Sequence, residues 1–433
     1  MLSGIHDAWQ LRGVAGLSAD ALRDLQERKL REIIHYAYQR VPFYRERFKS
    51  AGIHPGDIRT VEDLTQVPIT TKRDLQIAGV ERTVARGIKP EACTVLRTSG
   101  NTGTPLHIYV GRRDLALRRL VELRTTRRVG FSARDRLASV GPHRARKPGN
   151  LTRLGLYRTT IISGLLSVEE QLDRLERFRP TILWILPTTL RAIYRTIGCR
   201  LRDFVQPHTV IFSGEVLDEL LRAQIRDDLG FDPYNFYGSL ELGRIAAECP
   251  AREGLHVNTD HVILETWTGD RVPTEGEAGT AVVTGLNGRA MPFLRYQIGD
   301  RLVRLDKRCS CGSNLPLIAP PVGRDHDILL LPSGRWVPPV WCSVVLRQYA
   351  DILQFRIVQR NIDELRIDLV TRDTWSEEQL NRLRRELLER LGEPLTMEIE
   401  CVDDIPDDKE KFRSFISRLP RELLDGYSRG GGT

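Results

Sequence analysis

Residues 98–105 read Thr-Ser-Gly-Asn-Thr-Gly-Thr-Pro, four hydroxyl side chains and two glycines in one short run. Backbone N–H groups and hydroxyls in such a loop converge on an anion, and glycines at 100 and 103 let the backbone approach a polyphosphate with no Cβ in the way. Val95 and Leu96 before the loop, and Leu106, Ile108 and Val110 after it, read as strand ends. A Walker loop would need Gly-Lys-Ser/Thr running into a helix, which this stretch lacks. A turn rich in Ser, Thr and Gly is also ordinary, so the loop is weighed by its company. Four further clusters follow in order: Ser213-Gly214-Glu215, then Asn235 through Tyr237-Gly238-Ser239 to Glu241, then Arg295-Tyr296 to Gly299-Asp300, then Gly323-Arg324-Asp325-His326-Asp327. Taken singly, each has a plain structural alternative: Glu241 a helix cap, Asp300 a turn residue, Arg324 a surface arginine.

Cys249, His256, Cys309 and Cys311 form a separate set. Three thiolates and one imidazole complete the tetrahedral shell of a structural zinc. A Cys-x-Cys pair is as often two buried thiols, and the spacing alone leaves both readings open.

These residues need elements to hold them. At 433 residues the chain suits a large domain plus a smaller one. The pattern over residues 20–50 predicts a helix with Leu22, Leu25, Leu30, Ile33, Ile34 and Ala37 on one stripe, ended by Pro42. From about 92 to 320, strand-like runs (209–212, 262–266, 280–284) alternate with helix-like ones (168–178, 218–229), which points to α/β layers. After a turn at 323–327 the pattern becomes β-β-α-β, with Ser376 and Gln379 as a capping box. That turn sets the domain boundary.

Composition narrows the class. Apolar content of 41% and charged content of 28% are those of a globular protein with ample core. No apolar run reaches a membrane span and the first residues lack a signal-peptide pattern, so no membrane role is expected. Seven unevenly spaced cysteines argue for a reducing cytoplasm. The net charge of +8 comes from scattered arginines, including Arg124, Arg127, Arg128, Arg382, Arg384 and Arg385. With acidic residues interleaved and no nucleic-acid motif, these read as solvated helix faces rather than a nucleic-acid surface. Cys93, Cys199, Cys342 and Cys401 read as buried thiols.

In order and spacing the five clusters resemble the adenylate-forming enzymes, most closely the phenylacetate–CoA ligase family. Residues 38–44 (Tyr-Gln-Arg-Val-Pro-Phe-Tyr) and 67–72 (Val-Pro-Ile-Thr-Thr-Lys) extend the resemblance over nearly the whole chain. It implies an α/β fold: a large multi-layer N-terminal adenylation domain, residues 1–323, followed by a small mobile α+β C-terminal domain, residues 324–433. It also implies ATP-dependent activation of a carboxylic acid to an acyl-adenylate with pyrophosphate release, then thioester formation with CoA. Positioning and charge neutralisation dominate such chemistry.

By resemblance, Thr98, Ser99, Gly100, Thr102 and Gly103 would hold the phosphates of ATP, and Ser213, Gly214, Glu215 and Ser239 would line the nucleotide. Tyr237 would stack on adenine, Gly238 would admit the ring and acyl group, Asp300 would accept from the ribose hydroxyls and Arg324 would reach ribose or phosphate. Glu241 would bind magnesium. Lys411, with Lys409 as its near neighbour, would enter the site for adenylation. Two departures stand out: Thr104 replaces a usual lysine, and His326 replaces the usual hinge aspartate. The same resemblance strengthens the zinc reading of Cys249, His256, Cys309 and Cys311. A homodimer is an assembly frequent in that branch.

Pro142, His143, Trp184, Pro187 and Gly238 are expected to bound an apolar acyl pocket, with Ile161, Ile162, Leu165 and Leu166 as further wall, favouring an aryl or medium apolar acid. The acceptor could instead be an amine or a carrier-protein thiol. A third reading is a non-catalytic nucleotide-binding scaffold, which has no need of Glu241, Asp300, Arg324 and Lys411 together.

Overall fold

The computed structural model describes residues 14–98, 105–141, 156–164, 166–217, 219–321, 323–324, 329–337, 342, 345–346, 348–349, 351–405 and 414–420. Helix α1 (Ala19–Arg40) begins at Ser18, whose side chain accepts from the Ala21 N–H, and buries Leu22, Leu30, Ile33, Ile34 and Ala37. Pro42 does not simply end the helical region. The chain breaks at extended Val41, and Pro42 then opens α2 (Pro42–Ser50), because a first-turn proline loses no hydrogen bond and already has helical φ.

Strands β1 (Thr94–Arg97) and β2 (His107–Val110) pair antiparallel across the 98–106 loop. There follow α3 (Arg112–Arg128), β3 (Arg136–Gly141), β4 (Arg158–Ser163), α4 (Val168–Phe178), β5 (Ile182–Ile185), α5 (Pro187–Ile197), β6 (Thr209–Ser213), α6 (Glu219–Leu229) and β7 (Tyr234–Ser239). The strands lie in the order β4-β3-β5-β6-β7, all parallel. Both faces are covered, so β6 is an apolar run (Thr-Val-Ile-Phe) rather than an alternating one. Past β7 the sheet turns antiparallel through β8 (Gly243–Glu248) and β9 (Leu255–Val257).

A second, antiparallel sheet holds β10 (Val262–Trp267), β11 (Gly279–Gly285) and β12 (Tyr296–Leu302). Short β13 (Arg304–Leu305) and β14 (Leu317–Ile318) return to the first sheet beside β9, and β15 (Gly323–Arg324) pairs with β12. The sequence-expected turn at 323–327 therefore starts as strand, because residues 323–324 still complete the large domain's sheet.

The next described residues belong to a separate core. It contains β16 (Leu329–Leu330), β17 (Trp336–Val337), β18 (Ile352–Asn361), β19 (Glu364–Thr371), α7 (Glu377–Leu391), β20 (Thr396–Cys401) and β21 (Phe415–Ser417). The strand order is β20-β19-β18-β21, adding β21 to the expected β-β-α-β. Ile357, Leu365, Ile367, Leu383 and Leu387 pack its centre, and Ser376 and Gln379 cap α7 reciprocally. The fold is thus α/β with a large and a small domain.

Two expectations need correction. Arg124 is not a solvated charge: it forms paired hydrogen bonds to Asp260, at 2.7 and 2.9 Å, and that carboxylate is fully buried. Of the four thiols expected inside, Cys342 is buried, Cys93 and Cys199 are partly so, and Cys401 is exposed.

Candidate active site

In the parallel sheet, strand order reverses between β3 and β5, and open α/β sheets take ligands outside the carboxyl ends of strands at such a point. Gly141, Ile185, Ser213 and Ser239 are those ends here. Two of the sequence clusters, the one starting at Ser213 and the one running through Ser239, lie on this edge.

Ser213 accepts from Arg244 Nη1 at 3.3 Å, and Gly214 turns the chain at φ +90°. The Glu215 carboxylate accepts from the Thr188 N–H and from its hydroxyl, both at 2.9 Å. It thereby caps the first turn of α5, where a negative charge meets the positive end of the helix. Pro187, buried, is the first residue of that helix. Trp184 packs edge-on against Phe236 at 5.8 Å, with the Arg244 guanidinium 5.0 Å from its ring centre. Arg244 is fixed in turn by both Glu122 carboxylate oxygens.

Gly238 has a backbone reason to be glycine: a Cβ there would sit 2.4 Å from the Gly243 carbonyl oxygen across the β7–β8 bulge. Thr98 closes the neck of the first loop, its hydroxyl oxygen accepting from the Leu106 N–H at 2.9 Å.

The two carboxylates are cross-linked. Tyr237 donates to Asp300 Oδ2 at 2.8 Å, and Tyr296 donates to Glu241 Oε1 at 3.1 Å. Each cluster supplies a tyrosine to the other's acid, four residues from its own. β7 and β12 are thereby tied across the gap between the two sheets. Burial pushes the Tyr296 hydroxyl well above its ordinary range, the Glu241 charge adding to it, so it stays a donor.

The turn carrying Glu241 is held from several sides. Arg118 on α3 donates to the Leu240 carbonyl at 2.8 Å and to the Glu241 carbonyl. His261 Nε2 lies 2.7 Å from the Leu242 carbonyl, and the Ser239 hydroxyl oxygen accepts from the Leu242 N–H at 3.2 Å. Glu241 itself is buried. Asp300 is a register partner of Arg324 in the β12–β15 pair, so two expected ribose-side residues are backbone neighbours. Ser99, Gly100, Thr102, Thr104, Gly103, Pro142, His143, Leu165, Asp325, His326, Asp327, Lys409 and Lys411 lie outside the described residues, as does the Arg324 side chain.

Sequence reasoning missed Arg118, His261 and Arg244. Arg118 is one of several arginines on α3, and nothing in its spacing separates it from the solvated ones. Tyr296 lies inside a recognised cluster, but its bond to Glu241 depends on a contact between sheets.

Cys249 follows β8, His256 sits in β9, and Cys309 and Cys311 lie in the loop between β13 and β14. Their four ligating atoms lie within 4.8 Å of one another. Cys249 and Cys309 sulfurs are 3.6 Å apart, and Cys311 Sγ is 3.3 Å from His256 Nε2. A tetrahedral zinc with Zn–S bonds of about 2.3 Å would set sulfurs about 3.8 Å apart, so the set fits that ion. His256 Nδ1 faces the Leu315 carbonyl at 3.2 Å, which places the proton there and turns the Nε2 lone pair towards the cluster. Burial lowers the His256 pKa, keeping the ring neutral.

Residues 329–418 match the CapK C-terminal domain family. A phenylacetate–coenzyme A ligase of Thermus thermophilus is 30% identical over 441 residues, 94% of this chain and 91% of that protein. Among solved structures, a 2-hydroxyisobutyryl-CoA ligase in its postadenylation state with R3-HIB-AMP superposes with a TM-score of 0.80 at 20% identity, covering 96% of this chain and 93% of that one. The same ligase with 2-HIB-AMP and CoA in its thioesterification state gives 0.63 at 21% identity, covering 96% and 94%. The fold is that of an acid–CoA ligase with a large and a small domain. This chain belongs to the phenylacetate–CoA ligase family.

Proposed function

We propose that this protein joins a carboxylic acid to coenzyme A through an acyl-adenylate. A carboxylate oxygen attacks the α-phosphorus of ATP, the bond from that phosphorus to the bridging oxygen breaks, and pyrophosphate leaves. The CoA sulfur then attacks the acyl carbonyl and AMP departs. The observation that carries this reading is the pair of reciprocal tyrosine–carboxylate bonds. Within a family of acid–CoA ligases, they tie Glu241, just past the carboxyl end of β7, to β12, and Asp300 of β12 to β7.

Asp300, steadied by Tyr237, would accept from the ribose hydroxyls. Glu241 would hold magnesium, whose charge neutralises the phosphates; Thr98–Leu106 pairing would seat the glycine-rich loop for the same phosphates. Ser213, Gly214 and Ser239 would line the nucleotide, with Tyr237 beside the adenine and Arg324 next to Asp300. Lys411 would approach the site from the small domain during adenylation. Trp184 and the start of α5 at Pro187 support an apolar or aromatic acid. Zinc, held by Cys249, His256, Cys309 and Cys311, would be structural, since four protein ligands leave no open position. Reaction with ATP and CoA is a cytoplasmic chemistry, and the cysteines, all free in this structure, suit that compartment.

The test is pyrophosphate release from ATP and magnesium across a panel of aryl and aliphatic acids, with and without CoA. One acid should stimulate release and yield an acyl-CoA by mass spectrometry. An adenylate that accumulates despite CoA would transfer the second step to an amine or carrier-protein acceptor. Nucleotide binding with no acid-dependent release would support a scaffold instead.

A further inference from the structure

Among the described residues, polar contacts seat the small domain on α5 of the large one. Arg195 pairs with Asp404, and Arg191 donates to the Leu353 carbonyl at 3.4 Å. The Arg372 charge also reaches Cys199, just past the end of α5. Among the described residues, no hydrophobic cluster contains residues of both domains. A junction of charge and hydrogen bonds, with no shared apolar core, is one that opens readily. The opposite end of α5 lies in the site: its first turn holds the Glu215 carboxylate, and Pro187, Arg191 and Arg195 follow at four-residue steps along it. One rigid helix therefore runs from the Ser213-Gly214-Glu215 turn to the small domain.

The arrangement of the domains is specific. The 2-hydroxyisobutyryl-CoA ligase fits this chain better in its postadenylation state than in its thioesterification state. That relative has one fold in both, so the difference lies in the placement of its parts. We propose that Arg195 and Arg191 are positioning residues that seat the small domain for adenylation, through Asp404 and the Leu353 carbonyl, and that the CoA step requires their release. This rests on the two-step reaction proposed above and adds which contacts select between its steps.

The test is a charge swap on the full chain: Arg195→Asp, Asp404→Arg, and both together. Arg195 and Asp404 are 30% and 65% exposed, so the substitutions spare the core. Three readouts are taken: acid-dependent ATP–pyrophosphate exchange, transfer of a supplied acyl-adenylate to CoA, and small-angle X-ray scattering of the protein. An exposed pair contributes a few-fold and reversal adds repulsion, so each single variant should lose about three- to tenfold in exchange. Transfer to CoA should hold or rise, scattering should move away from the profile of this arrangement, and the double swap should restore both exchange and scattering. Equal losses in exchange and transfer, or a double swap no better than the singles, would overturn the proposal. Scattering unchanged by every variant would overturn it regardless of activity. Failure of the underlying reaction would be distinguishable as wild-type protein inactive in both half-reactions while its scattering still responds to the swap.

Discussion

Arg118 is where a single side chain does most to hold the site. Its guanidinium bridges the Leu240 and Glu241 carbonyls, so it sets the turn that aims the Glu241 carboxylate without touching the carboxylate. Hydrogen bonds to charged groups contribute about 1.5–3 kcal/mol each. Arg118→Met should therefore slow pyrophosphate release by tenfold or more and raise the magnesium concentration needed for half-maximal rate, while the KM for the acid stays near that of the wild type. A magnesium titration on the variant checks this; a rate loss with an unchanged magnesium requirement would show that Arg118 supports the fold rather than Glu241. Glu241 itself could be read from the sequence because its neighbours Tyr237 and Gly238 form a recognisable cluster. Arg118 could not, because its partners are backbone carbonyls more than a hundred residues away.

At the scale of elements, β8 connects the two chemically distinct regions: the Glu241 turn precedes it and Cys249 follows it. His261 supports one end of this strand. It is buried, with its pKa lowered to about 4 by desolvation, against a backbone bond to Leu242 and the charge of Asp260 that act to raise it. Asn287 Nδ2 lies 3.0 Å from its Nδ1, which leaves Nε2 to donate to Leu242. Unfolded, the ring takes a proton below about pH 6.5; folded, only near pH 4. Between those values the unfolded state binds more protons, so stability should fall as pH drops from 6.5 towards 4, by up to about 3 kcal/mol. Urea titrations across that window should show the slope in wild type and a shallower one in His261→Gln, which keeps a donor for Leu242. Equal slopes would assign the pH dependence elsewhere.

The other end of β8 is the Cys/His set. The purified protein should carry about one zinc per chain, and Cys309→Ser should release it and lower Tm. Protein that is metal-free and equally stable would refute a structural zinc. The four ligands were visible in the sequence as residue types, but their convergence depends on β14 pairing with β9, a contact across about sixty residues. Helices α4, α6 and α7 were legible from their patterns, α7 also from its capping box, whereas α3 and α5 were not named from the sequence. The break at Val41–Pro42 was not legible, because proline ends one helix and begins another with the same local signal.

For the whole molecule, the two-domain organisation was legible from the change of pattern after Gly323, since each domain has its own core. Which face of the large domain meets the small one was not, because the contacts are a few polar groups on α5 with no apolar stripe to mark them. The reaction belongs to this scale, since it needs the loop after β1, the sheet edge, β12 and the small domain at once. Its most direct test uses the acid found to stimulate pyrophosphate release, labelled with 18O in both carboxylate oxygens. Activation through an acyl-adenylate predicts one 18O in AMP, none in pyrophosphate, and acyl-CoA that keeps the other. ADP with 18O in inorganic phosphate, or AMP without label, would contradict it.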